Sequence, residues 1–331
     1  MTDAKPLRAG MIGLGMMGRN HLRVLGQLEG VQLVGAADLL ADASAVSVPL
    51  FRSHEELIDK GLDIAVVATP TEDHEKVGIA LAQAGIHALI EKPIASDLAA
   101  GERLVEAFES AGLIGCVGHI ERFNPGLRSL RQRVQQGEIG EIHQIATRRI
   151  GPFPGRIRDV GVVKDLGTHD LDLTAWVAGS NFSRISAQTA FKSGREFEDL
   201  LAATGRLQNG VITNHLVNWL SPVKERSVAV TGEKGALVAD MLLADVTLFE
   251  NGEVDTSWDT VARFRGVSEG NVTRYAIAKP EPLLTEHAQF RDAVLGLDNA
   301  EVVTLRDGLE AIRVAEACIA SSASGQTVVL P

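Results

Sequence analysis

The chain has 331 residues, 45% of them hydrophobic and 23% charged, which is the composition of a folded globular protein and excludes a disordered one. At roughly 150 residues per domain it is long enough for about two domains and a sizeable core. Its formal charge of −11 argues against nucleic acid or an anionic membrane as the main partner. The two cysteines, Cys116 and Cys318, offer no disulfide framework and no thiolate zinc site, and are expected as reduced thiols in a cytoplasmic protein. The first residues lack the pattern of a signal peptide, and no apolar stretch nears the roughly 20 residues of a membrane span.

From residue 7 to 120, short apolar runs alternate with amphipathic stretches. Strands are predicted at Leu7–Ile12, Val31–Ala37, Leu62–Thr69, Ile86–Glu91 and Leu113–Gly118. Helices are predicted at Met16–Leu28, Glu72–Ala84 and Leu98–Ala111, with a short or irregular crossover at Leu39–Pro49. This alternation implies an α/β Rossmann-type, doubly wound parallel sheet over residues 1–120. Beyond it the pattern changes. A helix is predicted at Pro125–Gln136, then a segment Ile142–Arg149, a Pro/Gly-rich loop at Gly151–Gly161 and a helix at Lys164–Ala178. From Ile185 to Trp258, strands are punctuated by turn signals at Gln208-Asn209-Gly210, Gly232–Gly235 and Asn251-Gly252, as in an antiparallel meander. Helices at Leu284–Leu295 and Arg306–Ser321 close the chain. Residues 121–331 are thus expected to form an α+β substrate domain with an open, largely antiparallel sheet.

The string Gly13-Leu14-Gly15-Met16-Met17-Gly18 follows the first strand and opens the first helix, which is the context a dinucleotide loop needs. Its first glycine permits a tight turn, its second lets backbone approach a pyrophosphate, and its third lets helix and strand pack closely. The helix N-terminus offers N–H groups and partial positive charge to the phosphates. Asp38 ends the second strand, twenty residues after Gly18, where a carboxylate accepts hydrogen bonds from the adenine ribose. Leu39 and Leu40 follow it rather than residues that welcome a 2′-phosphate, so NAD is expected in preference to NADP. Asp38 as a simple helix cap is the alternative. The Ala68-Thr69-Pro70-Thr71 turn lies at a carboxyl strand end and is expected to line the cofactor, although Thr71 equally suits a helix cap. His74 is read as a helix-surface residue.

Glu91-Lys92-Pro93 ends another strand at the same edge, where a lysine points into the cleft, unless it is only a surface lysine. A Lys-Pro bond can be cis. Asp165, His169 and Asp172 fall at i, i+4 and i+7 of one helix and share a face. The imidazole there can take a substrate hydroxyl proton, oriented by a carboxylate. A solvated polar face is the bland alternative. One imidazole among carboxylates does not call for a metal, and none is expected.

Together these motifs, in this order and spacing, resemble the Gfo/Idh/MocA family of sugar and cyclitol oxidoreductases. The resemblance implies an NAD(P)-dependent dehydrogenase with Lys92, Asp165 and His169 in catalysis, and Asp172 contacting substrate hydroxyls. It implies cofactor contacts from Gly13, Gly15, Met16, Met17, Gly18, Asp38, Thr69, Pro70, Thr71, Glu91 and Lys92. It also implies a homodimer or homotetramer. The strings Gly118–Pro125, Arg149–Gly161, Asn218–Pro222 and Val230–Gly235 look like the branch that contains UDP-N-acetylglucosamine 3-dehydrogenases.

Residues 148–158 hold Arg148, Arg149, Arg156 and Arg158 with no acid among them, just before the catalytic helix. Guanidinium groups bind phosphate in a planar, bidentate way, so this loop is expected to hold an anionic substrate such as a nucleotide sugar. Arg122 and Asn124 are expected to join from the other side. Pairing with surface acids or a neighbouring subunit is the alternative for the arginines, and core packing the alternative for Trp219 and Phe153. An inositol, aldose or sugar-phosphate dehydrogenase would not need this loop, and a non-catalytic NAD and sugar sensor would not need both Lys92 and His169.

Overall fold

The computed structural model describes residues 5–155, 160–252 and 268–331. They fall into two units, the chain up to Ile120 with Glu281–Ile312, and Glu121–Pro280 with Arg313–Pro331.

In the first unit, strands β1 (Leu7–Ile12), β2 (Val31–Ala37), β3 (Leu50–Phe51), β4 (Ile64–Val67), β5 (His87–Glu91) and β6 (Gly115–Gly118) lie in the order β3-β2-β1-β4-β5-β6. Every neighbouring pair is parallel. Between them run α1 (Met16–Leu25), α2 (His54–Ile58), α3 (Thr71–Gln83) and α4 (Leu98–Ser110). Helices on both faces bury a central strand entirely, which is why β4 reads Ile-Ala-Val-Val without alternation. Strand order reverses between β1 and β4, the crevice where open α/β sheets bind ligands. The crossover after Asp38 is irregular, with one 3₁₀ turn at Ala43–Ala45. The sequence reading missed β3 and α2, each too short to show a period.

The segment Glu281–Ile312 was expected in the second domain and instead completes the first. Phe290 of α7 (Pro282–Val294) joins the core of Met11, Leu14, Leu25 and Leu89. Just before α8 (Leu305–Ser324), Val303 O accepts the Val117 N–H at 2.9 Å and Thr304 bridges Cys116. The outer strand β6 thereby pairs backbone groups that would otherwise form an open edge.

The second unit is built on β7 (Ile142–Pro152), β8 (Phe182–Ala190), β9 (Leu200–Leu207), β10 (Ile212–Asn218), β11 (Leu220–Gly232), β12 (Gly235–Asp240), β13 (Asp245–Gly252), β14 (Ser268–Tyr275) and β15 (Val328–Val329). Their order is β14-β13-β12-β11-β7-β10-β9-β8-β15. The expected single meander is therefore two, β8–β10 and β11–β14, parted by β7. That strand runs parallel to β10 and antiparallel to β11. The turns at Asn209-Gly210 and Gly232–Gly235 form hairpins as expected, with Gly210 at φ 94°. Trp258 lies outside the described residues. Along β7, Ile145, Thr147 and Arg149 point inward. Helices α5 (Pro125–Gln135) and α6 (Thr168–Ala178) belong to this unit, and Leu127, Leu130, Leu171, Leu173 and Val177 join the core with Ile145, Val217, Val228 and Val230.

Candidate active site

The β1–α1 turn shows why each loop glycine is needed. Gly13 has φ 90°, and a Cβ there would lie 2.6 Å from the Ala68 carbonyl. A Cβ on Gly18 would lie 1.9 Å from Gly13 O, so helix and loop pack backbone to backbone. Gly15 differs, because its Cβ would meet nothing within 4 Å. It fronts open space at the N-terminus of α1, which is what an approaching pyrophosphate requires. Met16 and Met17 begin the helix, Met16 exposed.

Asp38 braces this loop. One carboxylate oxygen accepts Leu14 N–H at 2.7 Å, and the other accepts Leu40 N–H at 2.8 Å and Ala41 N–H at 2.7 Å. Burial works against its ionisation, yet these three bonds outweigh it and hold the carboxyl below its usual range. The ribose-binding and local-capping readings of Asp38 are thus compatible. Arg52 also reaches this corner, donating to Ala41 O at 2.8 Å, and its distance along the chain hid it from the sequence reading. Thr69 Oγ1 is buried and has no hydrogen-bond partner among the described residues, which suits a polar ligand. Pro70 occupies the N-cap of α3 and Thr71 is its first residue, with no side-chain cap. These groups fit a dinucleotide.

His74 is not on the surface. It is buried, with Nδ1 2.9 Å from Pro93 O and Nε2 3.0 Å from Thr69 O. Burial lowers its pKa despite those carbonyls, and a neutral ring donates to one of them at a time. It braces the Thr69 turn against the turn that follows Lys92. The Lys92-Pro93 bond is cis, and Lys92 N–H donates to Glu91 Oε2 at 3.0 Å. Glu91 is itself buried and bonded to His21, at 2.8 Å, so it holds the strand end rather than facing a solvent-filled crevice.

Lys92 belongs to the first unit, and Asp165, His169 and Asp172 to the second. The predicted helix at Lys164–Ala178 opens with a π-helical turn, Val163–Gly167, before α6. Such turns recur at functional sites. Glu198 starts it, accepting Val163 N–H at 3.1 Å. Gly161 leaves room for that carboxylate, since a Cβ there would lie 1.9 Å from Glu198 Oε1. Asp165 sits in the π turn and His169 in α6, both buried. Altogether α6 buries Thr168, His169, Asp170, Asp172 and Thr174, an expensive choice for a core-facing helix.

Part of that cost is met by arginines, in ways that revise the expected anion loop. Arg149 is 1% exposed and donates to Asp170 Oδ1 and Glu121 Oε1, each at 2.7 Å. Burial opposes its charge, but the two carboxylates outweigh that and raise its pKa. It is a core strut, not a loop residue. Arg148 pairs with Glu225 at 2.9 Å on the surface. Arg122 grips Asp172 with two bonds of 2.9 and 2.5 Å, so two residues expected to hold substrate hold each other. Asn124 caps α5 by accepting Gly126 N–H and donates to Met241 O, both at 3.0 Å, which engages both ends of its amide. Arg156 and Arg158 lie outside the described residues. Trp219 is buried, and Arg195 stacks on its ring at 4.6 Å, so packing explains this aromatic, whereas Phe153 is exposed and is covered on one face by the same Arg195 at 3.9 Å. Among the described residues there is no cluster suited to a metal ion and no helix long and apolar enough to cross a membrane.

Comparison with known proteins agrees with this architecture. Residues 7–119 match the NAD-binding Rossmann fold of the GFO/IDH/MocA oxidoreductase family, and residues 127–238 match that family's C-terminal domain. Myo-inositol dehydrogenase Hyg17 of Streptomyces leeuwenhoekii is 31% identical over 337 residues, covering 96% of this chain and 97% of the relative. UDP-N-acetylglucosamine 3-dehydrogenase of Acidithiobacillus ferrooxidans is 28% identical over 291 residues, covering 87% of this chain and 88% of the relative. A solved structure named as that dehydrogenase superposes with a TM-score of 0.82 at 25% identity, over 97% of this chain and 99% of the other. With its glycine loop, six-stranded parallel sheet and matched second domain, the chain belongs to the GFO/IDH/MocA family of NAD-binding oxidoreductases.

Proposed function

We propose that the protein oxidises a ring hydroxyl, at carbon 3, of a nucleotide sugar of the UDP-N-acetylglucosamine class, with NAD preferred over NADP. The likeness along nearly the whole chain to a solved UDP-N-acetylglucosamine 3-dehydrogenase carries this reading. NAD supplies the hydride acceptor. Asp38, already anionic, accepts from ribose hydroxyls and repels a 2′-phosphate. His169 takes the hydroxyl proton, Lys92 hydrogen-bonds the same oxygen and stabilises its developing charge, and Asp165 orients the imidazole. Asp172 positions ring hydroxyls while paired to Arg122. An anion would fall to Arg156 and Arg158.

A second reading, oxidation of an uncharged cyclitol such as an inositol, is favoured by the internal engagement of Arg122, Arg148 and Arg149. NADH formation from a panel of UDP-sugars, sugar phosphates and inositols separates the two. Turnover of UDP-N-acetylglucosamine at least tenfold above that of myo-inositol is expected, and the reverse order refutes the nucleotide-sugar reading. His169→Ala and Lys92→Ala should each lower kcat by about 10²–10⁴ with NADH binding preserved. Near-normal turnover in either variant removes its residue from the reaction.

A further inference from the structure

Behind the Lys92 turn lies a buried polar chain that the reaction above does not use. His21 (α1) places Nε2 2.8 Å from Glu91 Oε1 and Nδ1 2.8 Å from His287 Nε2 (α7). Both rings are essentially inaccessible, at 0% and 1% exposure. Glu91 Oε2 takes the Lys92 backbone N–H. A Cβ on Gly118 of the neighbouring strand would lie 3.1 Å from this carboxylate, so the glycine makes its berth. Three elements distant in sequence thus converge on one carboxylate beside Lys92.

Burial disfavours the Glu91 anion, but the His21 bond and the nearby charges of His21 and Lys92 outweigh it and keep the carboxyl ionised. An ionised Glu91 needs a proton on His21 Nε2. Burial and the neighbouring His21 push the His287 pKa well down, so that ring is neutral. His21 Nε2–H donates to Glu91 Oε1, and Nδ1 of the same ring shares a hydrogen bond with His287 Nε2. His287 Nδ1 is buried and has no hydrogen-bond partner among the described residues. Glu286, next to His287, is buried, and desolvation and the nearby Glu91 push its pKa well up.

We propose that His21 and His287 are positioning residues for Lys92, fixing Glu91 as an immobile anion that orients the Lys92 backbone and the ammonium beyond it. This rests on the reading of Lys92 as the group that meets the substrate oxygen. A fixed neighbouring anion and a fixed backbone are what a lysine with four rotatable bonds lacks by itself, and small misplacement of a reacting group is costly.

The test uses the NADH-bound enzyme and four variants. Glu91→Gln keeps the shape and removes the charge. His21→Ala cuts the chain, His21→Gln restores an N–H donor, and His287→Leu cuts it one link further out. Lys92 acylation by acetic anhydride, followed by mass spectrometry, reads the lysine without a substrate. Initial rates with UDP-N-acetylglucosamine and myo-inositol read the reaction, and NADH fluorescence titration reads cofactor binding. For Glu91→Gln we expect a several-fold change in Lys92 labelling and a fall in kcat of about tenfold or more, with KM, NADH affinity and melting temperature nearly unchanged. His287→Leu should show a smaller effect in the same direction, and His21→Gln should recover most of what His21→Ala loses. Unchanged Lys92 labelling in Glu91→Gln and His21→Ala overturns the proposal. So does unchanged kcat in both while Lys92→Ala is inactive. If Lys92→Ala keeps its turnover, the catalytic reading of Lys92 fails instead, and the labelling rates still decide whether the chain positions it.

Discussion

Replacing Arg149 with alanine distinguishes a core strut from a substrate anchor. Its guanidinium donates to Asp170 and Glu121, which are 0% and 8% exposed, and it also touches Met241 Sδ at 3.8 Å. Without it, Asp170 loses its ion-pair partner and Glu121 keeps the more distant Arg226, at 3.3 Å. Removing one partner of a buried pair costs about 3–5 kcal/mol, because a charge is left uncompensated in a medium that solvates it poorly. In a unit of this size, each kcal/mol lowers Tm by roughly 2–4 °C, so a fall of about 6–20 °C is expected. Scanning calorimetry can read it, with NADH present to mark the first unit's transition by its upward shift. The triple variant Arg149→Met, Asp170→Asn, Glu121→Gln should recover much of the loss, since neutral groups need no counter-charge. A melting temperature within about 2 °C of wild type, together with a raised KM for UDP-N-acetylglucosamine, would refute this reasoning and return Arg149 to the substrate.

Two glycines of the nucleotide loop should part company. Gly15→Ala adds a methyl into open space, so stability stays and NADH affinity falls, while Gly18→Ala drives a methyl to 1.9 Å from Gly13 O and loses both. Fluorescence titration beside thermal melts checks this, and an affinity unchanged in Gly15→Ala would mean that no ligand passes there. Asp38→Ser should weaken NAD and relieve NADP, raising the NADP to NAD ratio of kcat/KM by about tenfold or more through loss of one charged hydrogen-bonding partner. An unaltered ratio would show that Arg52 or another group sets the preference. His215 is buried between Thr147 and Thr213 and its pKa is pushed down to about 3 by desolvation. Its unfolded form binds a proton near pH 6.5, so its stabilising contribution is full above that value. The contribution is lost as pH falls toward 3, at up to about 1.4 kcal/mol per unit. Urea unfolding of the second unit between pH 7 and 4 should follow this slope, and His215→Gln should flatten it; an unchanged slope would mean that the ring is not buried as a neutral group.

The nucleotide half was legible because its signals are local. A strand, three spaced glycines, a helix and an acid at the next strand end lie within one βαβ unit, where sequence distance and spatial distance agree. The buried side of β7 was legible too, in retrospect, since Ile145 and Thr147 set a two-residue alternation that carries Arg149 inward. Reading four arginines as one cationic loop overrode that parity. Other features left no local trace. The apolar stripe of α7 announces a helix, not which core will take Phe290. The insertion of β7 between two meanders is a choice of partners, and its residues would suit either neighbour. His74 looked solvent-facing because a lone imidazole among Glu72, Asp73, Glu75 and Lys76 has polar company, while its two carbonyl partners lie on separate turns.

The discontinuity of the first unit bears on how the protein is made. A ribosome releases β1 through β6 early, yet Phe290 and the Val303–Thr304 pairing arrive only after residues Glu121–Pro280 of the other unit have been synthesised. Until then the nascent dinucleotide half carries an uncovered strand edge and a gap beside Leu25, both invitations to misassociation. A translation stop anywhere between Pro280 and Thr304 would therefore spoil the half whose sheet was made first.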